Sequence, residues 1–235
     1  MNTAVVVGAG PGLGQSLVQR FLDEGYSTGM IARTQDTLKS VREITATGDS
    51  RLKAYRCDAT DEEAVASTFD SIKTDLGNVD VLIYNAGAFE YGGILDLDPG
   101  QFEDFWKANC FGGFLTAQSV LPDMVEKGEG TIIFTGATAS LRGSENFAGL
   151  AVGKFGLRAL AQSMAREFGP EGIHVAHVII DGQIDIPKNR EEYPDRAEHT
   201  FLDPDEIAES YWQLHQQDSS AWTLELDLRP HVVEF

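Results

Sequence analysis

The sequence predicts a single α/β domain with a doubly wound parallel sheet of seven strands. Seven short apolar runs rich in β-branched residues alternate with amphipathic helical stretches, and a glycine cluster follows the first run. This alternation is typical of parallel sheets, because each crossover helix returns the chain to the same edge. Residues 1–235 fall within the length range of one domain and contain no repeat or low-complexity tract.

The predicted elements follow in order along the chain. The strands are predicted over residues 3–7, 27–32, 52–57, 79–84, 130–135, 174–180 and 222–228. Helical periodicity predicts helices over residues 13–25, 36–44, 62–77, 102–127, 149–169 and 205–217. Start signals support three helices: a capping box of Thr60 and Glu63, and an N-cap followed by proline at Asp98-Pro99 and at Asp203-Pro204.

Composition restricts the function classes. The formal charge is −19, with 37 acidic against 18 basic residues, which disfavours binding to nucleic acid or to an anionic membrane surface. No apolar run approaches the roughly 18 residues of a membrane span, and no leader precedes the first strand, so we expect a cytoplasmic protein. Cys57 and Cys110 are interpreted as reduced packing residues, and no spacing of ligands indicates a metal.

Three glycines occupy the predicted turn between the first strand and the first helix, at Gly8, Gly12 and Gly14. Glycine permits positive φ and lets backbone N–H groups and a helix N-terminus approach a pyrophosphate. The alternative is a tight turn without a ligand. Its place at the first strand-to-helix switch of an α/β pattern favours a dinucleotide cofactor.

The second strand ends at Ile31-Ala32-Arg33, without a carboxylate. An acid at this point would bind the adenosine ribose of NAD, whereas a guanidinium suits the 2′-phosphate of NADP. Arg33 therefore predicts NADP over NAD, the alternative being a solvated residue after a strand.

Five ordered motifs together resemble the short-chain dehydrogenase/reductase family over nearly the whole chain. They are Gly8-x-x-x-Gly12-x-Gly14, Asp58, Tyr84-Asn85-Ala86-Gly87, Asn109 and Asp181-Gly182. With the Arg33 inference, this resemblance gives a cofactor-binding set of Gly8, Gly12, Leu13, Gly14, Arg33, Asp58, Asn85, Ala86, Gly87, Lys154 and Ile184. It also implies a homodimer or homotetramer, packed through helices around residues 109–127 and 147–168.

The resemblance further implies which groups handle the proton. The family uses a tyrosine, a lysine four residues after it, a serine thirteen residues before it, and a helix asparagine. Lys154 and Asn109 match, but Leu150 stands at the tyrosine position and Ala137 at the serine position. Loss of a positioned general acid typically lowers the rate by ~10² to 10⁴.

Several side chains are candidates for replacing the missing acid. Thr138 and Ser140 are candidate substrate hydrogen-bond donors, and Lys154 with a depressed pKa is a candidate proton donor. Other hydroxyls near the expected site are given structural roles; they are Tyr84, Tyr91, Thr135 and Ser144.

The polar interval over residues 185–202 is predicted to be a substrate lid, and Phe147, Leu150 and Phe155 indicate an apolar pocket. The preferred hypothesis is an NADP-dependent oxidoreductase that reduces an apolar carbonyl or activated double bond of a small molecule by a non-standard proton route. The alternative is a catalytically inactive NADP-binding sensor or assembly protein.

Overall fold

The computed structural model describes residues 2–45 and 50–232. Its nine strands are β1 (Thr3–Val7), β2 (Ser27–Ala32), β3 (Leu52–Arg56), β4 (Val81–Tyr84), β5 (Gly130–Thr135), β6 (Ile173–Ile180), β7 (Gln183–Ile184), β8 (Phe201–Leu202) and β9 (Glu225–Leu228). Seven of them form one parallel sheet in the order β3-β2-β1-β4-β5-β6-β9, which confirms the predicted fold class.

Helices cover both faces of this sheet. They are α1 (Leu13–Asp23), α2 (Gln35–Thr45), α3 (Glu62–Leu76), α4 (Pro99–Trp106), α5 (Gly112–Lys127), α6 (Ala148–Phe168), α7 (Pro187–Glu192) and α8 (Pro204–His215). Leu17, Leu38 and Tyr211 bring α1, α2 and α8 to one face, where they pack in one buried cluster. Helices α3, α5 and α6 cover the other face and build a second cluster.

Two predicted features of the helices are corrected. The helix predicted over residues 102–127 is divided into α4, a π-helical segment at Lys107–Phe111, and α5. The capping box is wrong by one residue, since Asp61 is the N-cap of α3 and accepts from Ala64 N–H at 2.9 Å. Thr60 lies one residue before this N-cap, and its hydroxyl donates to Asp58 Oδ1 at 2.8 Å.

The other two start signals are confirmed. Asp98 accepts from the N–H groups of Gly100 and Gln101 at the start of α4, and Asp203 accepts from Asp205 N–H at the start of α8. Proline occupies the first helical position in both, where its missing N–H removes no intrahelical bond.

The interval over residues 185–202 has more regular structure than its sequence pattern indicates. It contains α7, a 3₁₀ turn at Glu198–Thr200, and β8, which pairs with β7. Arg190 forms a bidentate ion pair with Asp185, at 2.6 and 2.7 Å, and its guanidinium stacks over the Phe201 ring. The ion pair and the ring contact join residues within the segment, and the β7–β8 pairing joins it to the preceding Gln183 and Ile184.

Within the described ranges, we find no helix that combines the length and the apolar character needed to cross a bilayer.

Candidate functional site

Two adjoining cavities lie at the carboxyl ends of the central strands. One has a volume of about 580 Å³ and the other about 340 Å³, and both are lined by Gly8, Gly10 and Asn85. They open where β1 stands between β2 and β4, the point at which the strand order reverses. Ligands of open α/β sheets bind in the crevice outside such a switch point.

The glycine loop between β1 and α1 forms the shared floor of these cavities. Gly8 has a φ of 87°, and a Cβ there would lie 2.5 Å from the backbone nitrogen of Ala86. A Cβ on Gly14 would lie 2.4 Å from the carbonyl oxygen of Gly8, so α1 packs this closely only with glycine. Gly12 is the N-cap of α1 and supplies no side-chain cap. The loop therefore leaves the helix N-terminus free to bind an anion.

The larger cavity has two charged side chains in its wall. Arg33 follows β2, is exposed, and forms no ion pair with any carboxylate among residues 2–45 and 50–232. Asp58 follows β3, and its Oδ1 accepts from the backbone N–H and hydroxyl of Thr60, at 3.0 and 2.8 Å. The structure thus brings a free guanidinium and an oriented carboxylate into one cavity.

The loop after β4 forms the edge of both cavities. Asn85 Nδ2 donates to the carbonyl of Gly8 at 3.0 Å, which fixes this loop against the glycine loop. Ala86 and Gly87 line the larger cavity. Tyr84 is fully buried and donates to the Ala108 carbonyl at 2.7 Å, and burial raises the pKa of its phenol. Tyr84 is therefore a packing residue, as predicted.

Asn109 lies within the π-helical segment and is fully buried. Its Nδ2 donates to the carbonyls of Ala88 and Phe105, at 2.7 and 2.9 Å. Its Oδ1 has no hydrogen-bond partner among the described residues, and a Cβ built on Gly87 would lie 3.0 Å from it. Buried acceptors are seldom left unpaired, so this oxygen is available to a water or a ligand.

Lys154 is buried in α6, one turn after Leu150, with only 6% of its surface exposed. Its Nζ donates to the Thr135 carbonyl at 2.8 Å, and no carboxylate pairs with it in the described part of the chain. Burial lowers the pKa of this ammonium group to about 8. A cation is costly in such a position, which is typical of a functional group.

A third cavity of about 410 Å³ adjoins the 340 Å³ cavity. The residues that line both are Ala137, Ile180, Gly182, Gln183 and Asn189. Leu150 also lines the third cavity, so Leu150 and Ala137 both face this space with apolar side chains.

The two candidate hydroxyls have different positions. Thr138 lines the third cavity and donates its hydrogen to Asp181 Oδ1, while Asp181 also pairs with Arg229 at 3.5 Å. Ser140 is fully buried outside the cavity walls, where its Oγ accepts from Ala137 N–H at 3.1 Å and lies 3.3 Å from His177 Nε2. The geometry brings Thr138, and not Ser140, to the wall of the third cavity.

The histidines of β6 have structural environments. His177 is fully buried, and its pKa falls to about 4 because burial disfavours the imidazolium, which leaves it neutral at pH 7. His174 contacts the Thr223 carbonyl through Nε2 at 3.0 Å and stacks on Trp222. No cluster of three or more metal-ligating side chains occurs among the described residues.

The structure adds cavity residues that sequence reasoning did not select. Tyr91 and Tyr193 place their hydroxyl oxygens 3.5 Å apart at the third cavity, and three cationic side chains line the same space. Phe147 lines the cavity as predicted, but Phe155 does not, since it lies 42% exposed on the outer side of α6. Tyr193 lies within the segment predicted as a lid, but no sequence signal distinguished it from its neighbours there.

Comparison with known proteins identifies the family. A family model described as short chain dehydrogenase matches residues 2–196. The chain is 30% identical over 213 residues to sorbitol-6-phosphate 2-dehydrogenase of Escherichia coli K12, covering 89% of this chain and 82% of that protein. A crystal structure of a short-chain dehydrogenase from Rhodopseudomonas palustris superimposes with a TM-score of 0.84 and 36% identity, covering 98% of this chain and 99% of that one. A metagenomic short-chain oxidoreductase in complex with NADP superimposes with a TM-score of 0.82 and 24% identity, covering 99% and 98%. The chain belongs to the short-chain dehydrogenase/reductase family.

Proposed function

We propose that the chain is an NADP-dependent oxidoreductase that reduces a carbonyl or an activated double bond of a partly apolar small molecule. One observation carries this proposal: a groove lined by the glycine loop, Arg33, Asp58 and Asn85 continues directly into a separate cavity that has room for a second molecule. A protein that only holds a nucleotide does not need this second space.

The residues present fit a dinucleotide. The uncapped N-terminus of α1 suits the pyrophosphate, Asp58 suits the adenine, and Lys154 together with the free Asn109 Oδ1 suits the nicotinamide ribose and its water. Ile184 lines the 340 Å³ cavity, where the nicotinamide carboxamide would lie. NADPH, when bound, would supply the hydride.

Conjugate reduction suits the remaining groups better than ketone reduction. In a ketone the negative charge develops on the oxygen attached to the reacting carbon, and that oxygen needs an acid beside it. In an activated double bond the hydride goes to one carbon, the charge moves to a remote oxygen, and the neighbouring carbon takes its proton from solvent. Leu150 and Ala137 offer no acid at the usual place. Thr138 does not supply one either, because it donates its hydrogen to Asp181 and its oxygen can then only accept hydrogen bonds.

A second candidate function is favoured by the same two apolar side chains. A protein that binds NADP without redox turnover, as a sensor or assembly partner, needs neither the tyrosine nor the serine. Both candidate functions predict NADP binding, and they differ only in whether hydride is transferred to a substrate.

The test is stopped-flow NADPH oxidation with a panel of ketones, quinones and enones. We expect turnover with at least one enone or quinone and weak turnover with simple ketones. Tight NADPH binding with no oxidation by any member of the panel would support the sensor and contradict the reductase.

The preference for NADP rests on Arg33 and is tested by Arg33→Ala. We expect this change to weaken NADPH binding by about 10- to 100-fold, because charge-assisted hydrogen bonds to the 2′-phosphate are lost, and to change NADH binding little. Fluorescence titration of both cofactors measures the two affinities. An equal loss for NADPH and NADH would contradict the assignment.

The segment over residues 185–202 is proposed as the substrate lid. Its side chains Lys188, Glu192, Tyr193 and Arg196 line the third cavity, and Ile186 packs over Gly12, whose added Cβ would lie 2.5 Å from the isoleucine Cγ2. The segment therefore contacts both the phosphate end and the substrate end of the groove.

A homodimer or homotetramer is proposed as the assembly. Apolar side chains are exposed along α5 and α6, with Phe114 at 41%, Val152 at 47% and Phe155 at 42% exposure. Contiguous exposed apolar surface on a stable domain marks an interaction site. Sedimentation velocity is expected to give a mass of two or four chains, and a purely monomeric sample at micromolar concentration would contradict this.

A further inference from the structure

The third cavity has a charge opposite to that of the whole chain. Its walls carry Arg142, Lys188 and Arg196 against one acid, Glu192. The chain as a whole has 37 acidic and 18 basic residues, so a random sample of its surface would be acidic. Three of the few cations therefore converge on one small space.

These cations are not used to neutralise neighbouring acids. Arg142 and Lys188 form no ion pair within the described ranges, and Arg196 donates only to the Thr200 hydroxyl, at 2.9 Å, while lying over the Phe201 ring. Arg190, two residues after Lys188, is by contrast fully engaged with Asp185.

Other arginines of the chain resemble Arg190. Arg158 forms a bidentate pair with Glu225, and Arg20 pairs with Glu24 and Glu209. The chain has about twice as many carboxylates as cationic side chains, so cations that pair with no carboxylate are available to an external anion.

Their position in the cavity is also informative. None of the three lies on the wall shared with the 340 Å³ cavity, where the hydride would arrive. The cavity wall also contains an aromatic cluster of Phe89, Tyr91 and Phe147, with ring centroids 4.7 to 4.9 Å apart. The cavity thus combines an end that adjoins the 340 Å³ cavity, an aromatic wall, and three cations, Arg142, Lys188 and Arg196, which we call the cationic rim.

We propose that the substrate is an amphipathic anion, whose carboxylate or phosphate is bound by Arg142, Lys188 and Arg196 and whose apolar body packs on the aromatic cluster. This inference rests on the proposed function and specifies its substrate class. It changes the expectation of an uncharged apolar substrate, since the apolar wall holds only part of the molecule.

The test measures binding and does not require turnover. Protein saturated with NADP⁺, which occupies Arg33, is titrated calorimetrically with benzoate, phenyl phosphate and neutral benzamide at low ionic strength. We expect at least one anion to bind about tenfold or more tightly than benzamide, and to lose this advantage as salt screens the cationic rim. Comparison of benzoate with phenyl phosphate distinguishes a carboxylate site from a phosphate site.

Variants locate the site. Arg142→Gln and Lys188→Gln are each expected to weaken the preferred anion about fivefold and together more than tenfold, with benzamide binding unchanged. Lys53→Gln is the matched control, because Lys53 is exposed on the edge strand β3 outside the cavity walls. Equal binding of anion and benzamide, or an equal loss in the Lys53 variant, would overturn the proposal. Failure of NADPH to bind in a parallel titration would instead count against the proposed function. The same anions and benzamide would then be titrated into the free protein, where tighter binding of an anion would support the cationic site and equal binding would overturn it.

Discussion

Replacing Leu150 with Tyr and Ala137 with Ser is expected to raise ketone reduction by about 10²- to 10⁴-fold above the wild-type rate. Both side chains line the third cavity, and Ala137 also lines the cavity assigned to the nicotinamide. Leu150 lies one turn before Lys154 in α6, so a phenol there would have an ammonium group within the same helical repeat. The cationic charge of Lys154 would lower the pKa of that phenol and make it a better acid.

The control isolates one hydroxyl group. The variant with Leu150→Phe and Ala137→Ser has the same ring and the same serine but no acid, and we expect it to remain at the wild-type rate. The rates are measured as NADPH oxidation with a small ketone, after cofactor affinity has been shown to be equal in both variants. Equal rates in the Tyr and Phe variants would mean that the cofactor and the cavity are not aligned for hydride transfer.

The large effect is expected because the rest of the site is already in place. Asn109 keeps an unpaired buried oxygen, and Lys154 remains buried at the cost of desolvating its charge. Leu150 and Ala137 both lie in the wall of the third cavity, so the two substitutions change groups that face this space.

Much of the fold could be predicted because its signals are local. The apolar run of β1, the glycine turn after it and the helical period of α1 depend on neighbouring residues, and the same holds for the proline starts of α4 and α8. The glycine positions were predictable for a similar reason, because a turn that permits positive φ has few alternatives in sequence.

The parts of the site that could not be predicted depend on orientation. Thr138 and Ser140 are two residues apart in a 3₁₀ turn, where successive side chains rotate by about a third of a circle, so one faces the cavity and the other faces His177. Asn109 lies in a π-helical segment, which the helical period of the sequence did not predict. A one-dimensional pattern does not specify such rotations.

The cationic rim was missed for a different reason. Lys188 and Arg196 reach the cavity because the Asp185–Arg190 pair and the β7–β8 pairing fold their segment over it, and Arg142 reaches it from the loop before α6. The cavity wall brings Arg142 together with cations from a segment much further along the chain, which a local pattern does not show. Net charge, averaged over 235 residues, hides a local excess of the opposite sign.

Replacing Lys154 with Met is expected to stabilise the free protein at pH 7 while weakening cofactor binding. Burial lowers the folded-state pKa of Lys154 from 10.5 to about 8, so holding the ammonium group in the core costs about 3 kcal/mol at pH 7. Met has a similar shape and no charge, and the bond from Nζ to the Thr135 carbonyl is worth part of that amount. The net gain is about 1 to 2 kcal/mol, or a rise in Tm of roughly 2 to 8 °C.

The pH dependence identifies the cause of this gain. Because the folded pKa lies below the unfolded one, the unfolded chain binds more protons between pH 8 and pH 10.5, and wild-type stability therefore rises with pH through this window. The penalty falls by roughly 2 kcal/mol by pH 9.5, so the advantage of the Met variant should disappear there. Lys53→Met, at an exposed site, serves as the control and should show no such crossover.

Saturating NADPH should reverse the order of stability at pH 7. A ligand that binds only the folded state stabilises it by an amount that grows with its affinity, and the Met variant lacks the group that would hold the nicotinamide ribose. Thermal unfolding with and without NADPH, at pH 7 and pH 9.5, measures all four conditions. A Met variant that is less stable than wild type without cofactor would show that Lys154 contributes to the fold itself. The predicted pattern, a residue that costs stability until the cofactor is bound, would show that the lysine is kept for the ligand.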